Sequence, residues 1–381
     1  MLKTLIIILS ILRVAFVGDP QVDNEKELSY ARASIYSELR ERKDLDLVII
    51  LGDLVNDKPS LIAASKASLD SLPCPWICTP GNHDKDVHSK ESQRPRDTRT
   101  FSQVLGYTDT AFVFSGVSFI CMDNVRTVGK AAYEGGLGES QKDWLKESLA
   151  KSDGPIVLCA HIPFSECIGK DTLNAILSPY SDRLLMVCGH THSVRRGPSG
   201  YGCEEVQAGA ACGSWWRGVK DRYGIPLALM NCGAPRGYFV ADFSPRKKNW
   251  YTLGYKCVGR DAEEQMSAIV RDGKLFVNVY GGSTDGKVCV KLKGRWIPLE
   301  PASEPCPEVQ KIIEFNRSAS REYRRAHKEE FIPMRRLRSP HVWSCGLQGE
   351  KRIRIRYSDA TYRRTLRKTV RTPSFCESCR K

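Results

Sequence analysis

Five short clusters in the first half of the chain set carboxylate, carboxamide and imidazole groups beside small residues: Gly18-Asp19-Pro20-Gln21, Gly52-Asp53-Leu54-Val55-Asn56-Asp57, Gly81-Asn82-His83-Asp84, Ala160-His161-Ile162-Pro163 and Gly189-His190-Thr191-His192. Oxygen and imidazole donors without thiolate suit Mn, Fe or Zn. A pair of divalent ions about 3.5–4 Å apart needs a bridging carboxylate and several further donors. Asp53 is the best bridge, because a carboxylate has two oxygens for two ions. Their combined charge would lower the pKa of a bridging water, and the resulting hydroxide would attack phosphorus in line while the ions hold the phosphoryl oxygens. Singly, each cluster has a plainer reading: His161 as a structural histidine, Gly52-Asp53 as a turn, His190 and His192 as residues flanking one. Five such clusters in order, each in the same strand context, are hard to obtain by chance.

That context is an apolar run immediately before each cluster. Strand-like runs are Val14–Val17, Leu47–Leu51, Trp76–Cys78, Phe112–Phe114, Val117–Met122, Ile156–Ala160 and Leu184–Cys188, with helical patterns near Glu25–Glu41, Leu61–Leu72 and Ser140–Lys151. The alternation predicts an α/β layered fold. Phe112–Met122 reads as an antiparallel hairpin turning at Ser115-Gly116, so the sheets are mixed. The five clusters then fall at the C-terminal edge of a sheet, where ligands bind in open α/β folds.

Beyond residue 200 the texture changes to Gly, Pro and aromatic residues, through Gly213–Trp216 and Gly233–Tyr238, and then to a hairpin of Tyr238–Phe243 with Trp250–Tyr255. From Asp261 the runs are short and strand-like (Leu275–Tyr280, Lys287–Leu292, Lys351–Tyr357), separated by Asp272-Gly273 and Asp285-Gly286, which predicts a small β-sandwich. Period two along Lys351–Tyr357 puts Arg352, Arg354 and Arg356 on one face and Ile353 and Ile355 on the other.

The order Asp-x-Gln, Gly-Asp-x-x-x-Asp, Gly-Asn-His-Asp, a lone His after a strand and Gly-His-x-His resembles the calcineurin-like metallophosphoesterase superfamily. The stretch with Gly213–Trp216, Gly224-Ile225-Pro226, Met230 and Pro235–Tyr238 is similar to the C-terminal module of one branch of it. The resemblance implies a four-layer αββα sandwich with mixed sheets over residues 12–200, followed by a C-terminal module over 201–381. Within that module, residues 201–260 would be closing strands and 261–381 a smaller, basic all-β domain. By motif, Asp19, Gln21, Asp53 and His192 would hold one divalent ion, and Asp53, Asn82, His161 and His190 the other. His83 would give a proton to the leaving alkoxide, and Asp84 would orient His83. Asp57 would support its own loop. The family's first motif usually ends in His. Gln21 in its place would loosen that site, shift its preference toward Mn or Mg, or leave the position to water.

The resemblance thus implies a metal-dependent phosphoric ester hydrolase. A catalytically silent scaffold on the same fold is the alternative, and it would be expected had ligands or the general acid been replaced. His88, His327 and His341 lack motifs and are read as non-catalytic, and Arg94 and Arg96 as part of a solvated loop. Asn124 faces the same edge and would touch substrate. Trp215, Trp216 and Arg217 would either pack between domains or form a wall facing the substrate.

Composition bounds the rest. The chain has 381 residues, 41% hydrophobic and 27% charged, which suits two globular domains. No run of 18 apolar residues marks a membrane-spanning helix. Residues 311–381 carry 20 Lys and Arg against 7 Asp and Glu, a net +13, and the remainder a net +1. Such a field is either a solvated surface or a seat for nucleic acid or another anionic polymer, in which case the substrate would be a phosphodiester. Fifteen cysteines leave disulfide content open, and several, including Cys121, Cys159 and Cys188, lie in apolar runs and read as buried thiols. Cys376 and Cys379 form a C-x-x-C without a partner pair for zinc. Lys3 with Leu5–Leu12 resembles the start of a secretory signal with no cleavage site after it, so either an atypical signal or an extension of the first strand fits, and the compartment stays open.

Overall fold

A computed structural model describes residues 11–86, 97–128, 132–347, 349–350, 352–362 and 365–371. Lys3, His88, Arg94, Arg96, Cys376 and Cys379 lie outside the described residues. Strand β1 (Leu12–Val17) is central in a five-stranded sheet, parallel to β2 (Leu47–Ile50), which is parallel to β3 (Trp76–Cys78). All four residues of β2 are buried, as a strand covered on both faces requires.

The second sheet starts with the predicted hairpin, β4 (Thr110–Phe114) and β5 (Val117–Cys121). Ser115 and Gly116 turn it with φ of 49° and 81°, the left-handed pair that a tight hairpin demands. A two-stranded ribbon, β6 (Val125–Val128) and β7 (Ala132–Gly135), follows outside the main sheets. The parallel strands β8 (Ile156–Ala160) and β9 (Leu184–Cys188) continue the sheet from β5. Two further strands extend it: β11 (Glu204–Ala208), from the region of altered texture, lies parallel to β9, and β10 (Val194–Pro198) runs antiparallel at the edge.

The predicted hairpin at 238–255 is β12 (Gly237–Phe243) with β13 (Tyr251–Cys257), and it joins the first sheet by antiparallel pairing of β12 with β1. Phe243 of β12 meets Phe119 of β5 edge-on at 6.0 Å, so the two sheets pack face to face. Helix α1 (Glu25–Ala31) is capped by Asn24, whose side chain accepts from Glu27 N at 3.0 Å, and it continues through a π turn into α2 (Ser37–Glu41). Together with α3 (Ile62–Leu69) these helices bury Leu28, Ile35, Leu39 and Leu69 in the core built on the first sheet. Helix α4 (Arg99–Leu105) packs beside α3 and adds Phe101 to the same core, while α5 (Glu139–Ala150) and α6 (Lys170–Leu177) cover the outer face of the second sheet, burying Leu145, Leu149, Leu173 and Leu177 against Leu158 and Met186. The result is the αββα sandwich with mixed sheets.

The C-terminal part holds two antiparallel four-stranded sheets around one core. The first contains β14 (Met266–Arg271) and β15 (Lys274–Val279), the second β16 (Lys287–Leu292) and β17 (Arg295–Pro298). Leu275 and Val277 pack there with Val290, Ile353 and Ile355. The all-β expectation needs two added helices. Helix α7 (Pro307–Ser318) lies over the outer face of the first of these sheets, with Val309 and Ile313 against Phe276, and the second is α8 (Arg321–Ala326). Arg352, Arg354 and Arg356 are exposed and Ile353 and Ile355 buried, as period two requires. The 13 cysteines among the described residues are all free thiols, and no described helix is long and apolar enough to cross a membrane.

Candidate active site

The five clusters leave their strands at one edge of the sandwich, three after β1, β2 and β3 and two after β8 and β9. Main-chain bonds stitch them together: Gln21 N donates to Asp53 O at 2.8 Å, Gly189 N to His161 O at 3.0 Å, and Cys212 N to Asp19 O at 3.0 Å. Five of the candidate ligands have left-handed backbones, with φ of 48° at Asp19, 43° at Gln21, 49° at Asp53, 73° at His190 and 47° at His192. Such conformations cost of order 1–2 kcal/mol each outside glycine and persist where surrounding structure enforces them, as at functional sites. Gly81 is held to glycine by space, since a Cβ there would lie 2.2 Å from Asp53 N and Oδ1.

Asp53, His161 and His190 offer ligand atoms that all lie within 4.8 Å of one another. His161 is fully buried, and its Nδ1 donates to the Leu51 carbonyl at 2.8 Å. That bond turns Nε2 inward, where Asn82 Oδ1 is 3.0 Å away, His190 Nδ1 3.1 Å and Asp53 Oδ2 3.2 Å. With His161 Nε2 and His190 Nδ1 both deprotonated, four lone pairs would face one another, a donor set that a divalent cation satisfies. Burial opposes a charge on His161, but Asp53 and Asp19 outweigh it and raise its pKa to about 9. Burial and the His161 charge push His190 down to about 3, and burial takes His192 to about 4, so both present neutral imidazoles.

The second group of donors is looser. His192 Nδ1 donates to Gly213 O at 2.8 Å, which directs Nε2 toward Asp19 Oδ1 at 3.7 Å. Asp19 is fully buried, and that burial raises its pKa well above the usual carboxylate range. Gln21 donates through Nε2 to Asn56 Oδ1 at 3.2 Å, while its Oε1 accepts from the Cys212 thiol at 3.6 Å. The carboxamide is thus fixed by neighbours on both sides.

His83 stands beside these groups with its main-chain N donating to Asp53 Oδ1 at 2.8 Å. One expectation is corrected here. Asp84 does not orient His83; its two oxygens accept from Val55 N at 3.0 Å and Gly81 N at 2.8 Å, tying the second and third clusters together. Asp57 is the carboxylate facing His83, with Oδ1 3.1 Å from Nδ1. Burial works against protonation of His83, yet Asp57 and Asp53 prevail and its pKa is raised. Burial and Asp53 push Asp84 up to about 7. Asn124 is also corrected. It is fully buried, and its side chain bridges the main chain of Ile162, donating to O at 2.6 Å and accepting from N at 3.0 Å, so it does not face substrate.

Tyr133 of β7, edge-on to the His190 ring at 5.8 Å, had no sequence signal. The same holds for the Leu51 and Gly213 carbonyls that orient two imidazoles, since a carbonyl belongs to every residue.

Residues 12–194 match the family model described as calcineurin-like phosphoesterase, and residues 205–364 match that of its C terminal. The chain belongs to the calcineurin-like phosphoesterases. The family implies divalent metals, and the Asp53, His161 and His190 cluster is a candidate place for one. This phosphoesterase is 26% identical over 204 residues to a probable cyclic nucleotide phosphodiesterase of Synechococcus, covering 53% of this chain and 72% of that one. It is 26% identical over 208 residues to a probable glycerophosphodiester phosphodiesterase of Arcobacter nitrofigilis, covering 48% and 72%. Among solved structures, a dimetal phosphatase from Danio rerio superposes with a TM-score of 0.43 at 12% identity, over 70% of this chain and 95% of that one. A 5'-nucleotidase from Candida albicans gives 0.39 at 12%, over 64% and 50%.

Proposed function

We propose that this phosphoesterase hydrolyses a phosphate ester with two divalent ions, Mn, Fe, Zn or Mg. Asp19, Gln21, Asp53 and His192 would hold one, and Asp53, Asn82, His161 and His190 the other. The observation that carries the proposal is the convergence of Asp53, His161 and His190 within 4.8 Å, with Asn82 Oδ1 against the same nitrogen. Bound divalent ions supply an acidified water and neutralise phosphoryl charge.

The protein's own part is to fix geometry and move a proton. Leu51 and Gly213 carbonyls hold two imidazoles in the ligating tautomer. His83, partly exposed and with Asp57 and Asp53 favouring its protonated form against the penalty of burial, would give its proton to the leaving oxygen. Asp84 keeps the loops that carry Asp53 and His83 in register. The diesterase names of both curated relatives support a phosphodiester as substrate.

Hydrolysis of bis(p-nitrophenyl) phosphate with added Mn²⁺ tests this. Wild type should turn over and Asp53→Asn should not. Full activity in Asp53→Asn would reject the assignment, and an inactive wild type with metal bound would favour the scaffold reading.

A further inference from the structure

Two consecutive tryptophans follow Gly213-Ser214, both left-handed with φ of 54°. Bulky residues avoid that region, and two in a row form a turn that the surroundings must enforce. Their side chains go to different fates. Trp216 is 3% exposed and its Nε1 donates to Pro20 O at 2.9 Å, between Asp19 and Gln21. Tyr30 packs on its ring at 6.1 Å, and the Arg236 guanidinium lies 4.9 Å from the ring centroid. This is a tryptophan used for packing, and it anchors the turn to the loop of the first cluster.

Trp215 is thrown the other way. It is 39% exposed, and its ring lies against the His192 imidazole with centroids 4.8 Å apart and planes tilted by 35°. The turn is braced from outside the sandwich as well: Ser214 N donates to Ala228 O at 3.2 Å, and Gly218 N to Glu329 O at 2.9 Å in the C-terminal part. A fold seeking only burial would not strain its backbone to leave an indole in water beside a candidate ligand. We infer that Trp215 is a specificity residue, a platform on which a flat aromatic ring of the substrate's ester arm stacks while the phosphoryl group sits at Asp53. This rests on the phosphoesterase reading of the same site and adds the substrate class: esters whose alcohol carries a planar ring, such as a nucleobase, over purely aliphatic ones. One face of the indole lies on His192, and the exposed part of the ring is what a base can cover.

The test is calorimetric binding of adenosine monophosphate, ribose 5-phosphate and inorganic phosphate to the full chain loaded with Mn²⁺. Wild type should bind adenosine monophosphate about tenfold more tightly than ribose 5-phosphate, the size of one base–indole stack. Trp215→Ala should close that gap, with inorganic phosphate affinity as the reference against which both ligands are compared in each variant, and Trp215→Phe should keep part of it. Should Trp215→Ala fold poorly, Trp215→Gly removes the ring while suiting a left-handed backbone. Equal affinity for the two ligands in wild type, or a gap that survives in Trp215→Gly, would overturn the inference. Turnover of a nucleotide diester in the same samples separates it from the parent reading. A gap without turnover sinks the enzyme and keeps the platform, while turnover without a gap does the reverse.

Discussion

At the scale of single residues, the two carboxylates near His83 have exchanged the parts that the motif implied. Asp84 follows His83 directly, but the short helical turn over Asn82–Asp84 sends its carboxylate back to main-chain donors, whereas Asp57, on the neighbouring loop, reaches the imidazole. Adjacency in a motif did not decide which group touched which. The consequence is separable by kinetics. His83→Ala should lower kcat by about 10²–10⁴ on an ester with an alkoxide leaving group, and much less on a p-nitrophenyl ester, whose leaving group needs no proton. Asp57→Asn should follow the same leaving-group pattern at smaller size. Asp84→Asn should instead act on folding, lowering unfolding free energy by about 1–3 kcal/mol through the acceptor it withdraws from a buried N–H. A histidine of the C-terminal part should set a separate pH dependence. His341 is fully buried, its Nδ1 3 Å or less from Asn278 Oδ1, at 2.8 Å, and burial lowers its pKa to about 4. The unfolded chain, with an ordinary imidazole near pH 6.5, therefore binds the proton first. The contribution of His341 to stability should thus be fully present above pH 6.5 and be lost as pH drops toward 4, by about 3 kcal/mol. Urea unfolding at pH 7 and pH 4.5 should show this loss in wild type and a smaller one in His341→Gln.

At the scale of elements, what was legible followed how completely an element is buried. Ile156–Ala160 and Leu184–Cys188, buried throughout, are strands over the very residues expected, while Lys287–Leu292 was legible by another mark, the alternation that buries Val288 and Val290. A strand covered on both faces is a continuous apolar run and announces itself. Helix α6 was not legible, because its 8 residues span little more than two turns, too few for the i, i+3, i+4 spacing of buried Leu173, Ile176 and Leu177 to repeat. Strands β10 and β11 were hidden differently. Val194–Pro198 holds Arg195, Arg196, Gly197 and Pro198, and it is a strand because a neighbouring strand pairs with it, not because of propensity. The loops carrying the site were legible as chemistry but not as conformation, since left-handed φ at Asp19, Asp53 and His190 has no sequence mark beyond the glycines beside them. Those glycines make the element-scale prediction. Gly81→Ala would force a Cβ into Asp53, whose N and Oδ1 lie 2.2 Å from its ideal position. The third loop must then retreat from the second. Bound Mn²⁺ per chain, measured by elemental analysis after gel filtration, should fall, with a stability cost of about 1–3 kcal/mol. Unchanged metal content would mean that the two loops do not need this approach.

For the whole molecule, the question is what joins the C-terminal sandwich to the catalytic one. The basic character of the last 71 residues suggested a surface role, and the exposed Arg352, Arg354, Arg356 and Arg367 do share one sheet face by register. A polyanion seated there would displace about four counterions, giving a log–log salt slope near −3 to −4 for binding of duplex DNA, and Arg354→Glu should flatten it. The joint itself is a different arginine. Arg196 of β10 is fully buried, with Nε donating to Gly281 O at 3.0 Å, Nη1 to Glu204 Oε1 at 2.9 Å, and Nη2 to Tyr357 and Asp359, while its guanidinium lies 5.3 Å from the Tyr362 ring centroid. Its partners come from both bodies: Glu204 from the second catalytic sheet, Gly281, Tyr357, Asp359 and Tyr362 from the C-terminal part. Arg196→Met would leave two carboxylates without their cation, at a cost of about 3–5 kcal/mol. Because that cost falls on the contact and not on either core, unfolding in urea should split into two steps. Limited proteolysis should then cut between the bodies in Arg196→Met and spare wild type. Replacing Asp359 as well, in Arg196→Met with Asp359→Leu, removes one stranded charge and should bring the steps back toward each other. The turn bearing Trp215 is braced by Glu329 of the same C-terminal body. Loosening the joint should therefore also weaken nucleotide binding at the distant site, which calorimetry on the single variant would register.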